Sequence, residues 1–195
     1  MRLVFATHNK GKLREASQIL GPGYELLSPS DIGIDSEAEE TASTLEGNSL
    51  LKAEYIYERA GGLVCFADDS GLEVDALGGA PGVYTARYAG PDCSFEDNIN
   101  KLLRELSGVP MERRTARFKC VVTLISHARV QVFTGCMEGR IALQRKGTEG
   151  FGYDPVFIPD AFSSKTLAEL GEDVKNTFSH RFQALDSMRR VLSEL

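Results

Sequence analysis

Residues 2–20 read RLVFATHNKGKLREASQIL. Arg2–Thr7 is an apolar run of buried-strand length, and His8-Asn9-Lys10-Gly11 is a polar turn. Leu13, Ala16, Ile19 and Leu20 then recur at helical spacing until Gly21-Pro22-Gly23 breaks the pattern. Strand, polar loop and helix in succession are the unit of a sheet covered by helices, so this stretch decides for an α/β fold with a mixed sheet. Working outward, residues 28–46 are acidic and rich in Ser and Thr, and predict loop or short strand. Leu50, Ala53, Tyr57 and Ala60 mark one face of a second helix, which Gly61-Gly62 ends before a second buried strand, Leu63–Ala67. Residues 71–90 form a glycine-rich shaped loop. Ser94 and Asp97 predict a capping box ahead of a helix face of Phe95, Ile99, Leu102, Leu103 and Leu106. Ala116, Phe118, Cys120, Val122 and Leu124 alternate with Thr115, Arg117 and Lys119, which is strand periodicity. Val130, Val132 and Thr134 continue it after a turn at His127, predicting an antiparallel pair. A second glycine-rich loop, Gly147–Pro155, leads to a short strand at Val156–Ile158. The closing helix is capped by Ser179, with Phe182, Leu185 and Leu192 inside. No repeat, low-complexity tract or linker divides residues 1–195, so one domain is expected.

Composition narrows the function classes. The 195 residues are 42% hydrophobic and 26% charged, with a net charge of −6. Without a basic surplus, a nucleic-acid polymer is disfavoured as partner, whereas a small anion in a local basic pocket fits. The four cysteines, Cys65, Cys93, Cys120 and Cys136, are irregularly spaced and lack a C-x-x-C pair, so reduced structural thiols are expected. The apolar runs are too short for a signal peptide or a membrane span, and the cytoplasm is the expected compartment.

Three clusters carry chemistry. In ATHNKGK (6–12), a strand–loop–helix unit points backbone N–H groups and a helix N-terminus at the loop, with Lys10, Lys12 and Arg14 adding positive charge; such a site suits phosphate. It lacks the G-x-x-x-x-G-K-[ST] pattern, and a structural loop with solvated lysines explains it equally well. In FADDSG (66–71), two carboxylates end an apolar strand, and Glu37, Glu39 and Glu40 lie in a polar stretch upstream. These acids form either a turn and a solvated acidic loop, or a hard-cation site at a strand end, with Asp69 the favoured ligand. In KNTFSHR (175–181), Lys175, His180 and Arg181 gather at a helix start, as surface charges or as donors to a keto oxygen or phosphate. The aromatics of Gly150–Asp154 either stack on a base or, as the residues alone favour, pack on the sheet.

Taken together and in order, these stretches resemble the inosine triphosphate pyrophosphatase family. ATHNKGKLRE resembles its T-x-N-x-x-K opening, EETASTLEGNSLLKA (39–53) its acidic and lysine segment, and FADDSGLEVDALGGAPGVYTARYAG (66–90) its longest signature. GFGYDPVF (150–157), KTLAEL (165–170) and SHRFQAL (179–185) complete the series. The resemblance implies an elongated, two-lobed α/β fold around a long mixed twisted sheet, with an active-site cleft between the lobes. It implies Mg²⁺-dependent hydrolysis of noncanonical purine nucleoside triphosphates (ITP, dITP, XTP) to monophosphate and pyrophosphate, usually by a homodimer, with Mn²⁺ as a second acceptable ion. Carried over residue by residue, Thr7, His8, Asn9, Lys10, Gly11, Lys12 and Lys52 hold phosphates, and Ser70 touches substrate. Phe151, Gly152, Tyr153, Asp154, Lys175, His180 and Arg181 form a base pocket. Glu40 and Asp69 serve the metal, and Asp69 also activates water. The chain departs from the family pattern at His8, Leu45, Gly47 and Glu149, none of which removes a residue with a chemical role. A pyrophosphatase for pyrimidine or modified nucleotides and a non-catalytic nucleotide binder are the alternatives.

Overall fold

A computed structural model describes residues 1–127, 129–162 and 164–193. The strands are β1 (Arg2–Phe5), β2 (Glu25–Leu27), β3 (Val64–Val74), β4 (Pro81–Gly82), β5 (Thr115–Ser126), β6 (Arg129–Ile141) and β7 (Phe157–Pro159). The α-helices are α1 (Lys10–Leu20), α2 (Leu45–Tyr57), α3 (Phe95–Glu105), α4 (Leu167–Leu170), α5 (Glu172–Lys175) and α6 (His180–Leu192). One mixed sheet runs β2-β1-β3-β5-β6-β7, with β4 paired to β3. β1 is parallel to both β2 and β3, whereas β3–β4 and β6–β7 are antiparallel.

The chain divides into two compact units. The first contains Met1–Asp69, Cys120–Gly135 and His180–Leu195; the second contains Ser70–Lys119 and Cys136–Ser179. In the first unit the sheet is covered on both faces. Leu3, Phe5, Phe66, Cys120, Val122 and Leu124 pack against Ala16 and Leu20 of α1 and Ala184, Leu185, Met188 and Leu192 of α6. Val4 and Cys65 point the other way, against Leu27, Ile34, Ile56 and Ala60. That two-sided burial explains the unbroken apolar run of β1, because a strand buried on both faces has no polar side to alternate with. In the second unit, Leu72, Val74, Ala116, Phe118, Met137 and Ile141 pack on Ile99, Leu102 and Leu106 of α3 and on Phe157.

The expected capping box of Ser94 and Asp97 is present. Phe95, placed on the buried face of that helix by its spacing, is instead exposed, as are Val130 and Val132 of β6. The largest difference concerns β3. It does not end at the two acids but carries Asp68 and Asp69 in mid-strand and continues to Val74. Its parallel partner β1 stops earlier: Phe5 is opposite Phe66, and Ala6 N–H reaches the Phe66 carbonyl at 2.8 Å. The acids therefore sit just past the end of β1, beside its loop, though not at the end of their own strand. The helices α4 and α5 were not expected from the spacing of apolar residues; α4 starts at a capping box of Thr166 and Glu169. No helix among the described residues is long and apolar enough to cross a membrane.

Candidate active site

The first unit gathers most of the charged residues singled out above, and β3 sorts them. Successive side chains on a strand point to opposite faces. Asp68 follows Phe66 toward α1 and α6, whereas Asp69 follows Ala67 toward α2. The adjacent acids thus never confront each other. Asp68 is fully buried and accepts from Lys12 Nζ at 2.9 Å through Oδ1 and from Arg181 Nε at 3.0 Å through Oδ2. Arg181 also donates to Glu15 of α1, a buried carboxylate. On the other face, Lys52 Nζ donates to Asp69 Oδ1 at 2.9 Å and to Glu40 Oε1 at 2.8 Å.

The two faces have opposite electrostatics. Burial works against ionisation of Asp68, but Lys12, Arg181 and Lys52 outweigh it and hold the carboxyl well below the usual carboxylate range. At Asp69, burial prevails; Lys52 opposes it and Glu40 adds to it, so the carboxyl lies above its ordinary value. Burial lowers the Lys52 pKa, yet Asp69, Asp68 and Glu40 together raise it. A pair of carboxylates driven apart in this way divides into a permanent anion and a candidate proton acceptor.

Local structure fixes each group. Thr44 caps α2 by accepting from Gly47 N–H, and Asn48 Oδ1 accepts from Ala42 N–H at 2.9 Å, which ties the segment after Glu40 to the helix carrying Lys52. α6 begins close against β6: a Cβ on Gly135 would lie 2.0 Å from the His180 carbonyl oxygen, so only glycine lets the helix start here. The loop before α1 satisfies itself. Thr7 Oγ1 accepts from Asn9 N–H at 3.2 Å, and Asn9 Oδ1 accepts from Gly11 and Lys12 N–H at 2.9 and 3.1 Å. The amides expected to face phosphate are thus held by the cap. His8 is exposed, with Nδ1 3.4 Å from Ser30 Oγ and Nε2 4.0 Å from Glu37. Lys10 is exposed and His180 buried.

In the second unit, Lys175 Nζ donates to Asp154 Oδ2 at 2.7 Å, with both side chains buried. Asp154 Oδ2 also accepts from Phe151 N–H at 3.0 Å, and the Lys175 ammonium lies 4.4 Å from the centre of the Phe151 ring. Tyr153 belongs to the core and donates to the Thr85 carbonyl, so its ring packs, as the residues alone favoured. Gly152 has a left-handed backbone with φ +60, and Ser70 is half-buried on β3.

No group of three or more His, Cys, Asp or Glu side chains gathers as a metal cage among the described residues. The donor set nevertheless suits a hard cation completed by water and phosphate oxygens, since Glu40 and Asp69 already share one positive charge at Lys52.

The family model of the Ham1 family matches residues 3–191. The chain belongs to this family. The match spans the residues just placed, from the α1 loop to the start of α6. A relative from Flavobacterium johnsoniae, named dITP/XTP pyrophosphatase, is 46% identical over 99% of this chain and 98% of its own. One of the same name from Porphyromonas gingivalis is 48% identical over 98% and 97%. Among solved structures, a HAM1 protein from Coxiella burnetii superposes with a TM-score of 0.90 at 36% identity, covering both chains completely. The Staphylococcus aureus Ham1 protein does so with a TM-score of 0.88 at 39% identity, over 100% of this chain and 99% of that one. The α/β fold with its mixed sheet is thus that of the Ham1 proteins. Two residues that pack this cluster, Glu15 and Gly135, carry little signal in the sequence. Glu15 looks like one more charged residue of an amphipathic helix; its only signal is the i,i+3 spacing from Lys12, which puts both on one face. Gly135 lies in a strand, where an isolated glycine signals close backbone approach.

Proposed function

We propose that this chain hydrolyses noncanonical purine nucleoside triphosphates, namely ITP, dITP and XTP, to the monophosphate and pyrophosphate with Mg²⁺, in the cytoplasm and as a homodimer. The observation that carries the reading is the double use of Lys52: one ammonium holds Glu40 and Asp69 together on the α2 face of β3. The names of the full-length relatives support the substrate class.

Glu40 and Asp69 would hold the Mg²⁺, which when bound supplies charge to the phosphates and makes a bound water more acidic; Mn²⁺ accepts the same oxygen ligands. Asp69 takes the proton of the attacking water, a role favoured by a carboxyl shifted upward toward the working pH. The water oxygen bonds to the α-phosphorus, the bond from that phosphorus to the bridging oxygen breaks, and pyrophosphate leaves with the electron pair. Lys12 and Lys52 offset the charge of the triphosphate, and such positioning and electrostatic stabilisation make up most of phosphoryl-transfer catalysis. Arg181, carrying donors only, favours a 6-keto purine over adenine, whose amino group would meet it donor to donor.

A panel of triphosphates, with and without Mg²⁺, tests this when pyrophosphate and phosphate are measured separately. Pyrophosphate from ITP, dITP and XTP, dependent on the ion, is expected. Stepwise release of single phosphates would refute the reading.

A further inference from the structure

Asp68 joins two elements that are distant in sequence. Lys12 is 56 residues before it and Arg181 is 113 residues after it. Each carboxylate oxygen serves one of these cations, and the Asp68 side chain is 1% exposed, so no water shell can substitute for either partner. Arg181 is held from its other side by Glu15 on α1, the helix that carries Lys12. α1, β3 and α6 are thus tied by two cations and two carboxylates bonded in a row: Lys12, Asp68, Arg181 and Glu15. In a buried row of this kind each member's position depends on the next, because an unpaired charge at such depth is strongly unfavourable.

We infer that Asp68 is a positioning residue that couples the phosphate-loop lysine to the arginine of α6, so that base discrimination depends on Lys12 as well as on Arg181. The inference rests on the proposed roles of Lys12 toward phosphate and Arg181 toward the base. It assigns Asp68 a part distinct from that of Asp69: Asp68 takes no proton and touches no reacting atom. Its carboxylate sets where both cations stand. A lysine acting on phosphate alone would affect all triphosphates equally, since they share the phosphate chain. A lysine that also restrains Asp68 would affect them unequally.

The test compares kcat/KM for ITP and ATP in the wild type, Lys12→Met, Asp68→Asn and the double variant, with melting temperature as the check on folding. Lys12→Met is expected to lower the ITP-to-ATP ratio at least threefold and Asp68→Asn at least tenfold. In the double variant the Lys12 substitution should add nothing to the change in ratio. Lys12 is partly exposed, so its variant remains informative if Asp68→Asn does not fold. A ratio within twofold of wild type in Lys12→Met, with both substrates slowed equally, overturns the coupling. A second readout does not need turnover: the Nε–H resonance of Arg181 should shift in Lys12→Met, and an unmoved resonance also overturns the inference. If the wild type releases no pyrophosphate from ITP, the functional reading fails, and the resonance decides the coupling by itself.

Discussion

Lys52, half-buried, and Lys175, buried, are both bonded to an aspartate, and they differ in how many carboxylates each holds. In the second unit, Lys175 meets Asp154 alone among carboxylates, at 2.7 Å, and that carboxylate also holds the Phe151 amide. The pair shapes the 150–154 loop. In the first unit, Lys52 is shared by Glu40 and Asp69, while Lys12 and Arg181 share Asp68, and Arg181 adds Glu15. Four carboxylates are bonded to three cations. The upward shift of Asp69 comes first from its burial, which Lys52 opposes and Glu40 reinforces.

Substitutions sharpen this contrast. The largest effect is expected at Asp69. Asp69→Asn keeps the shape but removes the proposed proton acceptor and cation ligand, and kcat should fall about 10²- to 10⁴-fold or more with the fold intact. Circular dichroism and pyrophosphate release check it; retained turnover would erase the distinction between the two lysine sites. Lys175→Met comes next. It leaves Asp154 buried without its cation, which costs about 3–5 kcal/mol of stability by chemical denaturation. Pairing it with Asp154→Asn should recover part of the loss, as expected of a closed pair. Gly135→Ala is smaller. The added methyl meets the start of α6, and about 1–3 kcal/mol is expected, with ITP discrimination falling more than stability.

The smallest effect is a dependence on pH. The folded pKa of Asp68 is depressed, so its stabilisation is fully present above the ordinary value of 3.8 and is lost as pH falls through the lower folded value. Asp69 has the opposite sign: its raised pKa adds stability as pH falls from that raised value toward 3.8. Lys12→Met removes a partner that depends on ionised Asp68. Its melting temperature should therefore trail the wild type at neutral pH and converge with it only below about pH 4. A gap that stays constant into acid would sever the link between Lys12 and Asp68.

The sequence made the frame readable where patterns are local. The strand–loop–helix of residues 2–20 and the Ser94–Asp97 box depend on neighbours only a few positions apart, and both are present. The Thr166–Glu169 box offered an equally local signal for α4, within a short polar and charged stretch. β3 was read too short because two carboxylates interrupt an apolar run, and a hydrophobic pattern cannot reveal that cations wait on both faces. Asp69 is favoured by the residues themselves, Glu40 and Lys52 are singled out by the family resemblance, and the three are brought together. The ties from Asp68 to Lys12 and Arg181 span 56 and 113 residues. No periodicity reaches across such intervals; only the folded chain brings those charges into contact.

On the proposed function, the cap of α1 makes phosphate entry an exchange. The Asn9 carboxamide already occupies the Gly11 and Lys12 amides. A phosphate oxygen that reaches those amides must displace a tethered side chain, which returns as soon as the anion leaves. On the proposed function, the strength of the loop for phosphate is therefore the difference between charge-assisted bonds to the anion and the neutral bonds to Asn9 that they replace.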